Sequence, residues 1–309
     1  MKILLLGHRG FAGRSMAAEL ARAGIETVCA SRATGCDMQN ADSLAAALAA
    51  ARPDAVVNCA AKVGSLKYVS DHAADVAHVN LQMLLNLYRV LGERHPRTTL
   101  IQPIANCFYP GASSLLREEE WDHGPVHPSV LAYGSSRRTA VVLGECYRRQ
   151  FGVRSVFLIA PNMYGPGDST DFEKAHALNA LVSKFVKARH LGTGVEIWGT
   201  GTPVREWLYV ADFARVVREI VEHGIPADLA EPVNLAREEG ITIRQLVALI
   251  AGTLEFKGEI RYNTSYPDGA PAKIMSQRRF RRHFPNFAFT PFGQGIAETI
   301  RYYEGLYPY

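Results

Sequence analysis

The stretch "ILLLGHRGFAG", residues 3–13, most constrains what this chain can become. An unbroken apolar run ends in a glycine, two more glycines follow at intervals of three, and "GRSMAAELARAG" then takes up helical spacing. Consecutive apolar residues without polar alternation suit a strand buried on both faces, as in parallel sheets. Gly7, Gly10 and Gly13 permit a tight turn and close approach of a phosphate. The helix opening there presents free N–H groups and the positive end of its dipole. The pattern is GxxGxxG rather than GxGxxG, so a purely structural glycine turn is the plain alternative. The strand–turn–helix setting favours a dinucleotide site.

The alternation continues along the chain. "ETVCAS", "DAVVNCAA", "RTTLIQPIAN" and "VRSVFLIAP" read as strands, and "NADSLAAALAAA", "HVNLQMLLNLYRVLGER" and "SRRTAVVLGECYRRQFG" as helices. This order predicts an α/β fold, a Rossmann-type doubly wound parallel sheet over residues 1–163. After Pro161 the texture changes to the Gly-, Pro- and Asp-rich loop "NMYGPGDSTDFEK", the helix "AHALNALVSKFVKARH" and short segments. A smaller substrate-binding domain is expected over 164–309. A segment near 207–236, "WLYVADFARVVREIVEHG" followed by "PVNLA", is expected to return to the first sheet.

With 309 residues, 48% of them hydrophobic, the chain can bury a sizeable core. A net charge of +4 gives no call for nucleic acid. Cys29, Cys36, Cys59, Cys107 and Cys146 form no CxxC pair, so neither a metal site nor a disulfide framework is suggested. No stretch approaches the ~20 apolar residues of a membrane span, and the apolar run in "MKILLLGHRG" is too short for a signal peptide. A soluble cytoplasmic protein is expected.

The second strand ends Ala30-Ser31-Arg32, where NAD-binding chains usually place Asp or Glu for the ribose 2′-hydroxyl. Arg32 and Arg9, with no carboxylate, fit a 2′-phosphate, so NADP is expected in preference to NAD. A solvated surface arginine is the alternative for Arg32.

Further stretches stand in a telling order: "CAAKVGS" at 59–65, "NCFYP" at 106–110, "AYGSSRRTA" at 132–140, "PNMYGPGD", "WGTGTPVREWLYVADFA" and "YPDGAPAK". With the glycine turn, they make the chain resemble, almost end to end, the extended short-chain dehydrogenase/reductases, and among them the GDP-L-fucose synthases. The resemblance implies an NADP-dependent enzyme acting on a nucleotide sugar, GDP-4-keto-6-deoxymannose-like. It implies cofactor binding by Gly7, Arg9, Gly10, Phe11, Gly13, Arg32, Asp37, Met38, Ala60, Ala61, Lys62, Tyr133, Arg137 and Asn162. It places Asn162, Lys184, Trp198, Arg205 and Lys273 around the substrate. A homodimer through the helices at 76–93 and 136–150 is also implied.

Two half-reactions follow from the resemblance. Cys107 and His176 would exchange protons beside a ketone, chemistry that a thiol and an imidazole suit near neutral pH. Taken alone, each residue also fits an ordinary structural place. Tyr133 would protonate the carbonyl oxygen during hydride transfer. The chain departs from the family at the two partners of that tyrosine. Arg137 stands at the lysine position, keeping the charge but with a bulkier, differently reaching fork. Ala105 stands at the serine position and donates nothing, a loss that typically costs on the order of 10²–10³ in rate. Asn106 has a donor, but strand alternation turns it to the other face unless the chain bends there. The departures fall on reduction and spare proton transfer. Alternatives to an epimerase/reductase are a nucleotide-sugar epimerase without net reduction and a non-catalytic NADP(H)-binding regulator.

Overall fold

Ile3–Leu6 and Ala55–Asn58 are buried at every position, and strands so covered need helices on both faces. In the computed structural model, which describes residues 1–171, 174–224, 229, 231–266 and 268–309, those helices are present. Phe172 and Glu173 of the loop after Pro161, 225–228 and 230 of the return segment, and Pro267 of "YPDGAPAK" lie outside the described residues.

The first half runs β1 (Ile3–Leu6), α1 (Phe11–Arg22), β2 (Thr27–Ala30), α2 (Ala41–Ala51), β3 (Ala55–Asn58), α3 (Leu66–Asp71), α4 (Ala73–Arg94), β4 (Thr99–Ala105), β5 (Leu115–Leu116), α5 (Leu131–Phe151), β6 (Ser155–Ala160) and β7 (Asn162–Tyr164). There follow α6 (Ala177–Leu191), β8 (Val195–Trp198), β9 (Val204–Arg205), β10 (Trp207–Tyr209), α7 (Val210–His223), β11 (Val233–Asn234), β12 (Ile241–Thr242), α8 (Ile243–Thr253), β13 (Ile260–Asn263), β14 (Ala272–Met275), α9 (Arg278–His283) and α10 (Phe292–Leu306). Local chemistry sets many of these boundaries. Asn40 caps α2 by accepting the N–H groups of Asp42 and Ser43, each at 3.0 Å. That helix ends at Arg52, in the left-handed region, just ahead of Pro53.

The large sheet has the order β11-β6-β4-β3-β1-β2, with every pairing parallel. One face packs on α1, α7 and α9 through Met16, Leu20, Phe213, Val217 and Phe280. The other packs on α2 and α4 through Leu44, Leu48, Leu87 and Leu91. Each such fully buried side chain contributes about 1.5–3 kcal/mol. The segment at 207–236 divides: α7 lies on α1 and β11 joins the sheet edge, but β10 pairs with β7 in a separate two-stranded sheet. Helices α6, α8 and α10 enclose a second core with Phe185, Ile250 and Ile300.

Parallel strands deliver all their C-terminal ends to one edge, and the strand order reverses between β1 and β3, where open α/β sheets bind ligands. The glycine turn leaves β1 at that point. Gly7 has φ +75°, and a Cβ there would stand 2.6 Å from the backbone N of Ala60. A Cβ on Gly13 would stand 2.2 Å from the Gly7 carbonyl oxygen, so only glycine lets α1 close onto the turn.

Gly13→Ala should therefore destabilise the apoprotein by about 1–3 kcal/mol. Gly10→Ala, whose Cβ would meet the same oxygen at 3.4 Å, should cost less. Denaturant midpoints check this; equal losses would contradict the packing argument.

Candidate active site

Three loops hold the candidate residues, two at the C-terminal edge of the large sheet and one after β7. The first is the glycine turn. Gly10 is the N-cap of α1 with no side-chain cap, so the first N–H groups of the helix remain available for an anion. Arg9 and Arg32 are both exposed, and neither pairs with a carboxylate among the described residues. Asp37 and Met38 lie beyond β2, where the Met38 carbonyl accepts from Asn86 Nδ2 at 2.9 Å. Ala60, Ala61 and Lys62 follow β3, with the Ala60 backbone against Gly7.

The second loop leaves β4. The chain bends at once: Asn106–Phe108 is a turn of 3-10 helix, so strand alternation stops at Ala105. The condition under which Asn106 could replace the lost hydroxyl is thus met by the backbone. The turn is fastened to α5. Arg138 Nε donates to the Phe108 carbonyl at 2.6 Å, and a Cβ on Gly134 would stand 2.6 Å from the Cys107 carbonyl oxygen. Tyr133 and Arg137, one helical turn apart on α5, thereby share a pocket with Cys107.

Arg137 is only 3% exposed. Its Nη2 donates to Asn80 Oδ1 at 2.6 Å, and its Cζ lies 4.8 Å from the centroid of the Tyr133 ring. Asn80 itself bridges elements: its Oδ1 also accepts the Lys62 N–H at 3.1 Å, and its Nδ2 donates to the Lys62 carbonyl at 2.8 Å. Burial pushes the Tyr133 hydroxyl above the ordinary phenol range, and the Arg137 charge pulls it back only in part. The Arg137 charge thus still favours tyrosinate, but desolvation is the larger effect, and the guanidinium lies over the ring. Burial likewise pushes the Cys107 thiol up to about 11, against the pull of Arg137 and Lys273.

Lys273 on β14 and Arg205 on β9 are neighbours in register. Burial lowers the pKa of both. Cys107, when ionised, opposes this at Lys273. Cys107, Tyr133, Arg137, Lys273 and Arg205 therefore form one electrostatic group. Asn162, at the start of β7, donates to the Glu206 carbonyl at 3.4 Å. Lys184 is turned elsewhere: its Nζ donates to the Glu196 carbonyl on β8 at 2.5 Å. Trp198, 62% exposed at the end of β8, stacks on Tyr266 with centroids 4.4 Å apart.

The third loop follows β7. His176 is the N-cap of α6, one residue before the helix, not within it as its spacing suggested. Its ring lies 5.0 Å from that of Phe11 at the start of α1, which sets the imidazole beside the glycine turn. Asp168 Oδ2 accepts from the His176 backbone N at 2.8 Å, contacts Nδ1 at 3.1 Å, and accepts from Asn179 Nδ2 at 2.7 Å. Asp168, Asn179 and Asn80 all escaped the reading of the sequence. Asn80 alone left a trace there, as a polar residue on the apolar stripe Val76, Leu84, Leu87 and Leu91 of α4.

The profile of the NAD dependent epimerase/dehydratase family matches residues 3–236. The chain belongs to this family. Members similar to it include the GDP-L-fucose synthase of Sinorhizobium fredii, 31% identical over 281 residues that cover 90% of this chain and 88% of that one. The probable GDP-L-fucose synthase 1 of Oryza sativa subsp. japonica is 30% identical, covering 98% and 92%. A crystal structure of a GDP-L-fucose synthetase from Naegleria fowleri bound to NADP superposes with a TM-score of 0.85 at 27% identity, covering 99% of this chain and 93% of that one.

The family's dinucleotide fits the residues present. Arg137 Nε and His8 Nδ1 are buried polar atoms with no hydrogen-bond partner among the described residues. They lie in the pocket of Tyr133 and in the glycine turn, and buried polar groups ordinarily find partners. No described helix is long and apolar enough to cross a membrane.

Because its thiol is protonated well above neutrality, alkylation of Cys107 should accelerate about tenfold per pH unit from about pH 7 to about pH 10 without levelling. Peptide mass mapping separates it from the exposed Cys146. A plateau near the ordinary thiol pKa of about 8.5 would contradict the burial argument.

Proposed function

We propose that the protein is an NADP-dependent epimerase/reductase of a GDP-linked 4-keto-6-deoxy sugar, in which proton transfer beside the ketone is intact and carbonyl reduction is slowed. The observation that carries this reading is the shared pocket of Cys107, Tyr133, Arg137 and Lys273, at the strand edge that also carries the glycine turn. NADPH, when bound, supplies hydride to the 4-keto carbon. Gly7, Gly10, Phe11 and Gly13 would hold its pyrophosphate against α1, and Arg9 and Arg32 its 2′-phosphate. Asp37 and Met38 would flank the adenosine, and Ala60, Ala61 and Lys62 the nicotinamide end. The unpartnered Arg137 Nε is the donor that would meet the nicotinamide ribose.

Cys107, a thiol at neutral pH, is suited to give a proton, which leaves His176 to take one. Lys273 and Arg205 supply paired positive charge for the diphosphate. Asn162 would meet the sugar, and Trp198 offers an exposed aromatic face for the base. Lys184 would act through β8, whose Glu196 carbonyl its ammonium holds. Tyr133 would protonate the 4-keto oxygen. It does so without a serine hydroxyl at 105, and with a cation stacked on its ring in place of a lysine reaching along the cofactor. These two features also support a second reading, epimerisation without net reduction. A homodimer through α4 and α5 is part of the proposal. Leu85 and Val142 are exposed on these helices, whereas Val141 is buried in the core.

Cys107→Ser or His176→Asn should abolish solvent-deuterium uptake beside the ketone, read by mass spectrometry of the sugar nucleotide. Uptake at the parent rate in both variants would defeat the assignment. Ala105→Ser combined with Arg137→Lys should raise NADPH oxidation by on the order of 10²-fold. No rise would favour epimerisation as the native reaction.

A further inference from the structure

Asp168 belongs to no expected site, yet its surroundings are built. Its side chain is 5% exposed, and one carboxylate oxygen, Oδ2, gathers three contacts: the backbone N of His176, His176 Nδ1 and Asn179 Nδ2. Asn179 is itself fixed, because its Oδ1 accepts the Gly165 N–H at 3.1 Å. These hydrogen bonds hold the Asp168 carboxyl below its ordinary pKa despite burial. An ionised carboxylate only accepts, so the imidazole nitrogen facing it must carry the proton. The other ring nitrogen, Nε2, has no hydrogen-bond partner among the described residues, and the His176 side chain remains 32% exposed.

We propose that Asp168 is a positioning residue that holds the proton on Nδ1 of His176, leaving Nε2 as the atom that accepts the proton from the carbon beside the ketone. The inference rests on the proton-transfer role given to His176 above. It is separable from a structural role for Asp168 as the acceptor that caps α6. In Asp168→Asn an amide oxygen in the place of Oδ2 still accepts from the His176 backbone N–H, from Asn179 and from Nδ1, but without the negative charge that makes the Nδ1–H bond the strong one. The hold on the Nδ1 proton is weakened, so part of the population carries it on Nε2, which then cannot accept, and the imidazolium formed on proton uptake loses its counter-charge.

The test is ¹⁵N spectroscopy of the full-length protein labelled at histidine, at alkaline pH where imidazoles are neutral. The His176 signals are assigned by their loss in His176→Asn. In the parent protein Nδ1 should be the protonated nitrogen and Nε2 the bare one; in Asp168→Asn a measurable share of the proton should move from Nδ1 to Nε2. Solvent-deuterium uptake by Asp168→Asn should fall on the order of 10²–10⁴-fold at unchanged KM. A bare Nδ1 in the parent protein, or parental uptake by Asp168→Asn, would overturn the proposal. A parent protein with the expected tautomer but no uptake on any keto sugar would defeat the proposed activity and still uphold the placement of the proton by Asp168.

Discussion

The guanidinium of Arg137 is a buried cation with no carboxylate partner among the described residues, and much of the site is arranged around it. Taking such a charge out of water costs several kcal/mol unless polar groups replace the solvent. Asn80 provides a carbonyl oxygen at 2.6 Å and the Tyr133 ring a π face. The same amide holds both the N–H and the carbonyl of Lys62. One side chain on α4 therefore locks the segment after β3 to the turn of α5 that carries Tyr133 and Arg137. The segment after β3 and Arg137 are thus parts of one hydrogen-bonded unit, with the Tyr133 ring against it, and this is how an arginine is accommodated where the resemblance implies a lysine.

On the proposed function the site separates into two chemical halves. Tyr133, Arg137 and the position of Ala105 would serve the carbonyl oxygen, and Cys107 and His176 the protons on neighbouring carbons. The first half has no hydroxyl at 105 and has its cation stacked on the tyrosine ring. In the second, the half-buried thiol feels two cations, and the imidazole is oriented by a carboxylate that is itself anchored. A binding protein that merely sensed a dinucleotide would need neither feature. That contrast is the physical basis for reading the protein as an enzyme with unequal half-reactions.

Much of the fold was legible in the sequence because its determinants are local. Ile3–Leu6 is an unbroken apolar run because helices cover both faces of β1, and Gly13 is glycine because backbone lies 2.2 Å from where its Cβ would be. Features set by tertiary contacts were not legible. The start of α6 was misplaced because helical periodicity runs smoothly through His176, whereas the acceptor that ends the helix lies eight residues away at Asp168. The bend at Asn106 has no glycine or proline to mark it, and follows from the close approach of Gly134 on α5. Lys184 shares a helical face with the site but spends its charge on a β8 carbonyl, which spacing alone could not reveal.

The account turns on the inequality of the two halves, and one assay reads both at once. The parent protein is incubated in deuterated water with NADPH and GDP-4-keto-6-deoxymannose, and deuterium incorporation beside the ketone is followed together with NADPH oxidation. With one oxyanion-type donor missing, incorporation should outrun oxidation by on the order of 10²–10³. Oxidation that keeps pace with incorporation would contradict the account.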